Sequence, residues 1–167
     1  MKFKRIIFDS TTERDLYYLF LPSFEDVKLI KSLPKKYFVL LILNQLKSFS
    51  KISVFYLANE FYKKGMVYLC SWGNDCEIIH DLFDEEICSI FQDETDDNVI
   101  MTTWHKDETL DEALWFSINT AWPANDYFDE CKRVLVLNVG GKNLETHILD
   151  QLKNPKKLTK DACKEIQ

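Results

Sequence analysis

The heptapeptide YFVLLIL, residues 37–43, is hydrophobic at every position. Seven residues is a strand length, and a strand that is hydrophobic on both alternating sides has to be covered on both sides. That requirement points to a sheet held between two layers of helix. The segments downstream supply the helices. ISVFYLANEFYKKG (52–65) places Ile52, Phe55, Tyr56, Asn59 and Tyr62 near helical spacing, with Gly65 as a C-terminal stop. MVYLCSW (66–72) reads as a second strand ended by Gly73, and 75–91 sets Ile78, Ile79, Leu82, Phe83 and Ile87 along one helix face. NVIMTTW (98–104) is the third strand. Thr109 and Glu112 then have the spacing of a capping box, in which the Thr109 side chain caps the backbone and Glu112 reaches back. Leu110, Ala113, Leu114, Ser117, Ile118 and Ala121 form the buried face of that helix, and Pro123 stops it. RVLVLNV (133–139) is the fourth strand, and Gly140 and Gly141 lead into a last helix near 143–153.

This alternation predicts an α/β fold: a Rossmann-like open, mostly parallel sheet of about four core strands. Right-handed crossovers place its helices on both faces. In residues 1–36, RIIF and LYYLFL read as a small N-terminal addition of hairpin type, and SFEDVKLIKSL as a short helix. Residues 1–154 then make one domain. The lysine-rich segment 155–167 reads as a loosely held tail.

Composition narrows the class of function. Of 167 residues, 46% are hydrophobic, with 12 Phe, 7 Tyr and 4 Trp, enough for a substantial core. No apolar run approaches the roughly 18 residues that span a bilayer. MKFKRIIFDSTTERD, at the N-terminus, has only a short apolar stretch before Asp9 and does not resemble a secretory signal, so a cytoplasmic protein without a membrane partner is expected. Cys70, Cys76, Cys88, Cys131 and Cys163 show no CxxC or zinc-ribbon spacing and read as reduced thiols. Only 4 glycines leave little room for a nucleotide-binding loop, and no cofactor is expected.

The net charge of −6 conceals an asymmetry. Residues 75–130 contain 17 acids and a single base, Lys106, whereas the remainder holds 10 acids and 20 bases. Nucleic-acid proteins carry a basic stripe, and here the densest block has the opposite sign. Such a block is either a solvated helix surface or a field that attracts a basic partner.

In open α/β sheets, ligands sit outside the carboxyl ends of the strands. Those ends supply Asn44, then WGNDCE (72–77), WHKDE (104–108) and GGKN (140–143). Cys76 falls at a helix N-terminus, where the dipole lowers a thiol pKa. His105 falls just past the neighbouring strand. Cys76 as nucleophile, His105 as base and Asp107 as orienting carboxylate are therefore the catalytic candidates. Cys76, His80, His105 and Asp107 have the right chemistry for zinc, but no HExxH or CxxC accompanies them and no metal site is assigned. GGKN offers backbone amides to an anion yet lacks P-loop spacing, and reads as a turn. His147 has no acidic or thiol neighbour of interest and reads as a surface residue. Trp72, Trp104, Trp115 and Trp122 read as packing residues, with Trp72 and Trp104 placed to wall a pocket or anchor a partner.

YLCSWGNDCEIIHD followed by VIMTTWHKDETLDEALWF resembles a family of small uncharacterised bacterial α/β proteins. Its strands end in Trp-Gly-x-Asp-Cys and in Met-Thr-Thr-Trp-His-x-Asp-Glu. Trp72, Gly73, Asp75, Cys76 and Asp81 match the first element. Thr102, Thr103, Trp104, His105, Asp107, Glu108, Leu110, Trp115 and Phe116 match the second. The resemblance covers roughly 37–140 and carries no assigned activity. It implies that the two loops belong to one site.

Three readings result. The first is a non-catalytic acidic protein that neutralises a basic protein partner, such as a toxin domain, in the manner of an immunity protein or antitoxin. Its binding residues would be Trp72, Asp75, Asp84, Glu85, Glu86, Asp93, Glu94, Asp96, Asp97, Trp104, His105, Asp107 and Glu108, with no nucleic acid involved. The second is a small cysteine-dependent hydrolase or transferase built on Cys76 and His105. The third is a subunit that docks through its rim aromatics.

Overall fold

A computed structural model describes residues 1–30, 33, 35–43 and 49–163. The YFVLLIL strand, β3 (Tyr37–Leu43), is buried at all seven positions. Tyr37, Val39, Leu41 and Leu43 join one hydrophobic cluster, and Phe38, Leu40 and Ile42 join the other. The alternating side chains of one strand thus seed the cores on both sides of the sheet.

The remaining strands are β1 (Lys4–Asp9), β2 (Arg14–Leu21), β4 (Met66–Gly73), β5 (Met101–His105) and β6 (Arg133–Val139). Their order across the sheet is β1-β2-β6-β3-β4-β5. All neighbours pair in parallel except β1 with β2. The helices are α1 (Lys51–Lys63), α2 (Cys76–Ile90), α3 (Leu110–Asn119), α4 (Glu145–Lys153) and α5 (Pro155–Ala162). Val54, Leu57 and Phe61 of α1 pack with Ile79, Phe83 and Ile87 of α2 against one face. Leu114 and Ile118 of α3, Ile148 and Leu152 of α4, and Leu158 of α5 cover the other. The chain steps from β3 to β4 to β5 with α1 and α2 on one side, then returns through α3 on the opposite side to place β6 between β2 and β3. Right-handed crossovers require this change of face when the direction of travel reverses.

Three expectations need correction. The sheet has six strands, not about four, because the N-terminal hairpin is part of it: β2 pairs with β6 from Asp15 opposite Arg133 to Leu21 opposite Val139. Strand β5 begins at Met101, not at residue 98, because Asn98 is used in a turn. Its side chain accepts from the Thr95 N–H at 2.6 Å and donates to the Asp93 carbonyl at 3.1 Å. The segment after residue 154 is not a loose tail as far as residue 162. Pro155 opens α5, where its missing N–H costs nothing, and Leu158, 1% exposed, anchors the helix in the core. Within the segment read as a short helix, a 3-10 helix forms at Phe24–Leu29 and buries Phe24 and Val27. Asn44, placed by sequence on the carboxyl rim, lies outside the described residues. Among the described residues, no helix is long and apolar enough to cross a membrane.

Candidate functional site

At the carboxyl end of β4 the chain turns so sharply that its residue types are prescribed. Gly73 has φ +101°, and a Cβ there would stand 2.3 Å from the Leu43 carbonyl oxygen. Only glycine fits. The Asn74 N–H donates to that same carbonyl at 3.0 Å, and Asp75 adopts the left-handed region at φ 58° before α2 begins. Trp72 reaches across to the next loop, its indole Nε1 donating to the Glu108 carbonyl at 2.8 Å. Lys106 pairs with Glu77 at 3.1 Å. Trp72, Gly73, Asn74, Asp75, Lys106 and Glu108 together line an open pocket of about 440 Å³. The two motif loops therefore do face each other across one rim.

Within that rim, Cys76 and His105 do not form a pair. Cys76 is buried in the cluster on the α1 and α2 side. Burial raises its thiol pKa, and the backbone N–H groups of His105 and Glu77 lower it only in part. This reverses the expectation that the helix terminus lowers it: desolvation outweighs the hydrogen bonds from the backbone N–H groups. The His105 imidazole, 3% exposed, is turned to the α3 side, with its ring 4.7 Å from that of Phe116. Its Nδ1 lies 2.8 Å from Glu108 Oε2 and its Nε2 lies 3.1 Å from Thr103 Oγ1, so both ring nitrogens have partners. Asp107 is exposed beside them, and the residue that orients His105 is Glu108.

His80 belongs to the other face of β5. Its Nε2 lies 2.9 Å from Thr102 Oγ1, which in turn donates to Asp84 at 2.8 Å, and its Nδ1 lies 3.0 Å from Asp81. The half-exposed Trp104 ring packs on it at 4.6 Å. Strand alternation thus sends Thr102 and Trp104 to one side and Thr103 and His105 to the other. The set Cys76, His80, His105 and Asp107 is dispersed by that alternation. Among the described residues, no group of three or more His, Cys, Asp or Glu is placed to hold a metal ion. His147, read as a surface residue with no acidic neighbour of interest, is exposed but meets Asp111 of α3 at 2.6 Å. In the GGKN turn, Gly140 N–H donates to Leu21 and the Gly141 carbonyl accepts from Asn138, both within the fold.

The acidic residues separate into two groups. Glu85 and Glu86 face α1, where they meet Lys51 and Asn59, and Asp84 is engaged with Thr102. Asp93, Glu94, Asp96 and Asp97 follow the far end of α2. Because α2 runs back against the strands, they lie at the opposite end of the sheet from the Trp72 and His105 loops. There Asp97 is tied to the turn at 125–130: its side chain accepts from Asn125 at 2.8 Å, and its carbonyl accepts from the Asp126 N–H at 2.9 Å. This joins the acids at 93–97 to the exposed Asp126, Asp129 and Glu130. Among the described residues, none of these seven carboxylates is in an ion pair.

The same end of the sheet holds two aromatics that sequence reasoning missed. Trp122, read as packing, is 56% exposed and stacks on Phe128, 50% exposed, with ring centroids 5.2 Å apart and an interplanar angle of 18°. The available signal was their setting: both lie in AWPANDYFDE, a stretch of turn formers in which an aromatic has no periodic face to join.

These features define an α/β protein with a six-stranded mostly parallel sheet, the rim of the two motif loops at one end and an acidic, aromatic surface at the other. The chain belongs to the family described as a domain of unknown function (DUF7684), which matches residues 16–155. That span takes in most of β2 and the start of α5, and so reaches beyond 37–140 at both ends. No curated protein and no solved structure matches the chain.

Proposed function

We propose that this protein is a non-catalytic acidic binding protein that neutralises a basic protein partner, in the manner of an immunity protein or antitoxin. The observation that carries the reading is the surface made by residues 93–97 and 125–130. Its seven exposed carboxylates come from two separate segments held together by the Asp97 contacts, and among the described residues no ion pair neutralises them. A solvated helix face mixes both signs of charge, whereas an unneutralised cluster projects a field that accelerates encounter with a cation-bearing protein. The cysteine-dependent alternative draws no support from the rim, where Cys76 and the His105 imidazole occupy opposite faces of the sheet.

The test is capture of partners from the native host by the tagged protein, followed by affinity measurement with the purified pair. A variant carrying Asp93→Lys, Glu94→Lys, Asp96→Lys and Asp97→Lys is run beside it. A stoichiometric basic protein is expected, with affinity that falls steeply with salt and is lost in the variant. A partner bound equally by the variant, or no stoichiometric partner, overturns the reading.

A further inference from the structure

Between α3 and β6 the chain inverts the usual rule of burial. Ala121 and Ala124 are 0% and 8% exposed, while Trp122 between them and Phe128 beyond them stand half in solvent. Small residues are inside and two large rings outside. The arrangement is rigid. The turn is closed by N–H bonds from Tyr127 to Ala124, from Phe128 to Asn125 and from Cys131 to Tyr127, at 3.0, 3.2 and 3.0 Å. Beneath it the buried Arg14 donates to the carbonyls of Ser117, Ile118 and Ala121 at 3.2, 2.8 and 2.8 Å, and its guanidinium lies 5.3 Å from the Trp122 ring. Arg14, Trp122 and Phe128 therefore form a ladder whose outermost rung faces water. Beside it is a pocket of about 380 Å³ whose walls include Thr11, Thr12, Trp122, Phe128 and Lys132.

We propose that the stacked rings of Trp122 and Phe128, with the carboxylates of Asp126, Asp129 and Glu130, are the docking surface for an arginine-bearing segment of another protein. This rests on the reading of the protein as an acceptor of a basic partner, and assigns where the contact is made. The occupant follows from charge and shape. A guanidinium lies flat on an aromatic ring and can also pair with a carboxylate through its remaining N–H groups, whereas an ammonium offers only a point charge. An apolar partner would strip water from the carboxylates without replacing its hydrogen bonds. A nucleic acid would stack on the rings but bring its phosphates against the acids. Because the rings are already held in place, little ordering cost accompanies docking. Exposed tryptophans that are pre-organised in this way are where binding energy concentrates.

The experiment titrates the full-length protein, labelled with nitrogen-15, with a peptide of nine arginines and separately with a peptide of nine lysines at low salt. The arginine peptide is expected to bind more tightly, to shift the Trp122 indole N–H resonance, and to lose about tenfold in affinity in a Trp122→Ala, Phe128→Ala variant. An Asp126→Asn, Asp129→Asn, Glu130→Gln variant is expected to lose affinity and salt dependence together. All the substituted side chains are exposed, and the unchanged amide spectrum of the rest of the protein confirms folding. The assignment is overturned if neither peptide binds. It is also overturned if binding leaves the Trp122 resonance unmoved, if the ring variant keeps full affinity, or if a thymidine oligonucleotide moves the indole instead. Failure of the ring variant with continued sensitivity to charge reversal at 93–97 removes this docking site and leaves the acidic reading standing.

Discussion

Trp72 at the end of β4 and Glu108 beyond β5 are joined by a single hydrogen bond, from the indole Nε1 to the main-chain carbonyl at 2.8 Å. It ties the two motif loops together beside the Lys106–Glu77 pair, and it uses the one polar atom of the Trp72 side chain. Trp72→Phe keeps the ring and removes the donor. The expected cost is about 1 kcal/mol in urea unfolding, with faster amide exchange at Lys106, Asp107 and Glu108. Unchanged exchange in that loop would show that the bond does not hold it.

Gly73 is a second determinant of the rim. A methyl group there meets the Leu43 carbonyl at 2.3 Å in a backbone conformation that L-residues avoid. Gly73→Ala is expected to destabilise the protein by about 2 kcal/mol or more, measured by chemical denaturation. An effect within a few tenths of a kcal/mol would mean that β3 and β4 separate readily at this end.

Arg14 caps the C-terminal end of α3 from β2, where three backbone carbonyls and the Phe38 ring, 4.4 Å away, surround its guanidinium. Arg14→Met leaves those carbonyls buried without a donor and is expected to cost about 3 kcal/mol. Arg14→Lys restores the charge but not the fork, and should recover only part of the loss in thermal unfolding. Full recovery by lysine would reduce the role of Arg14 to charge alone.

Burial pushes the Cys70 and Cys131 thiols up to about 12, and raises Cys76 as well. The unfolded chain ionises its thiols at about 8.5. These groups therefore contribute their full stability below that pH and lose it as pH rises toward 12, because the unfolded state releases protons first. Tyr18 and Tyr68, also pushed by burial to about 12, act in the upper part of the same window. The unfolding free energy is expected to decline from about pH 8.5 upward. At pH 8, a thiol-reactive disulfide reagent should label the exposed Cys88 and Cys163 at once, and Cys70, Cys76 and Cys131 only on unfolding. Prompt labelling of Cys76 in the folded protein would reopen its candidacy as a nucleophile.

Much of the architecture was legible because its signals are local. The YFVLLIL run has no polar face, so β3 had to be buried on both sides. Thr109 and Glu112 cap α3 as their spacing requires, with the Thr109 N–H donating to Glu112 Oε2 at 2.7 Å. Gly73 stands where only glycine fits. The strand run and the capping box depend on residues a few positions apart, and backbone geometry converts such spacings directly into structure. The glycine marked the turn, although the carbonyl that excludes a side chain there belongs to Leu43 of the neighbouring strand.

What lay beyond the sequence depends on pairings between distant segments. Nothing in LYYLFL says that its parallel partner is RVLVLNV, more than a hundred residues away, and that pairing turned an apparent appendage into an inner strand of the sheet. Thr102 and Thr103 are neighbours in the chain, but one meets His80 and the other His105, because successive side chains of β5 leave on opposite faces. Trp122 is outside for a similar reason: the neighbouring Ala121 and Ala124 take the buried positions, and the larger ring is left to the surface. Composition and periodicity determined that this protein is an acidic α/β domain with a glycine-turn rim. Tertiary packing decided which side chains share a face, because that choice is made by whichever segments bury the most apolar surface together, not by their distance along the chain.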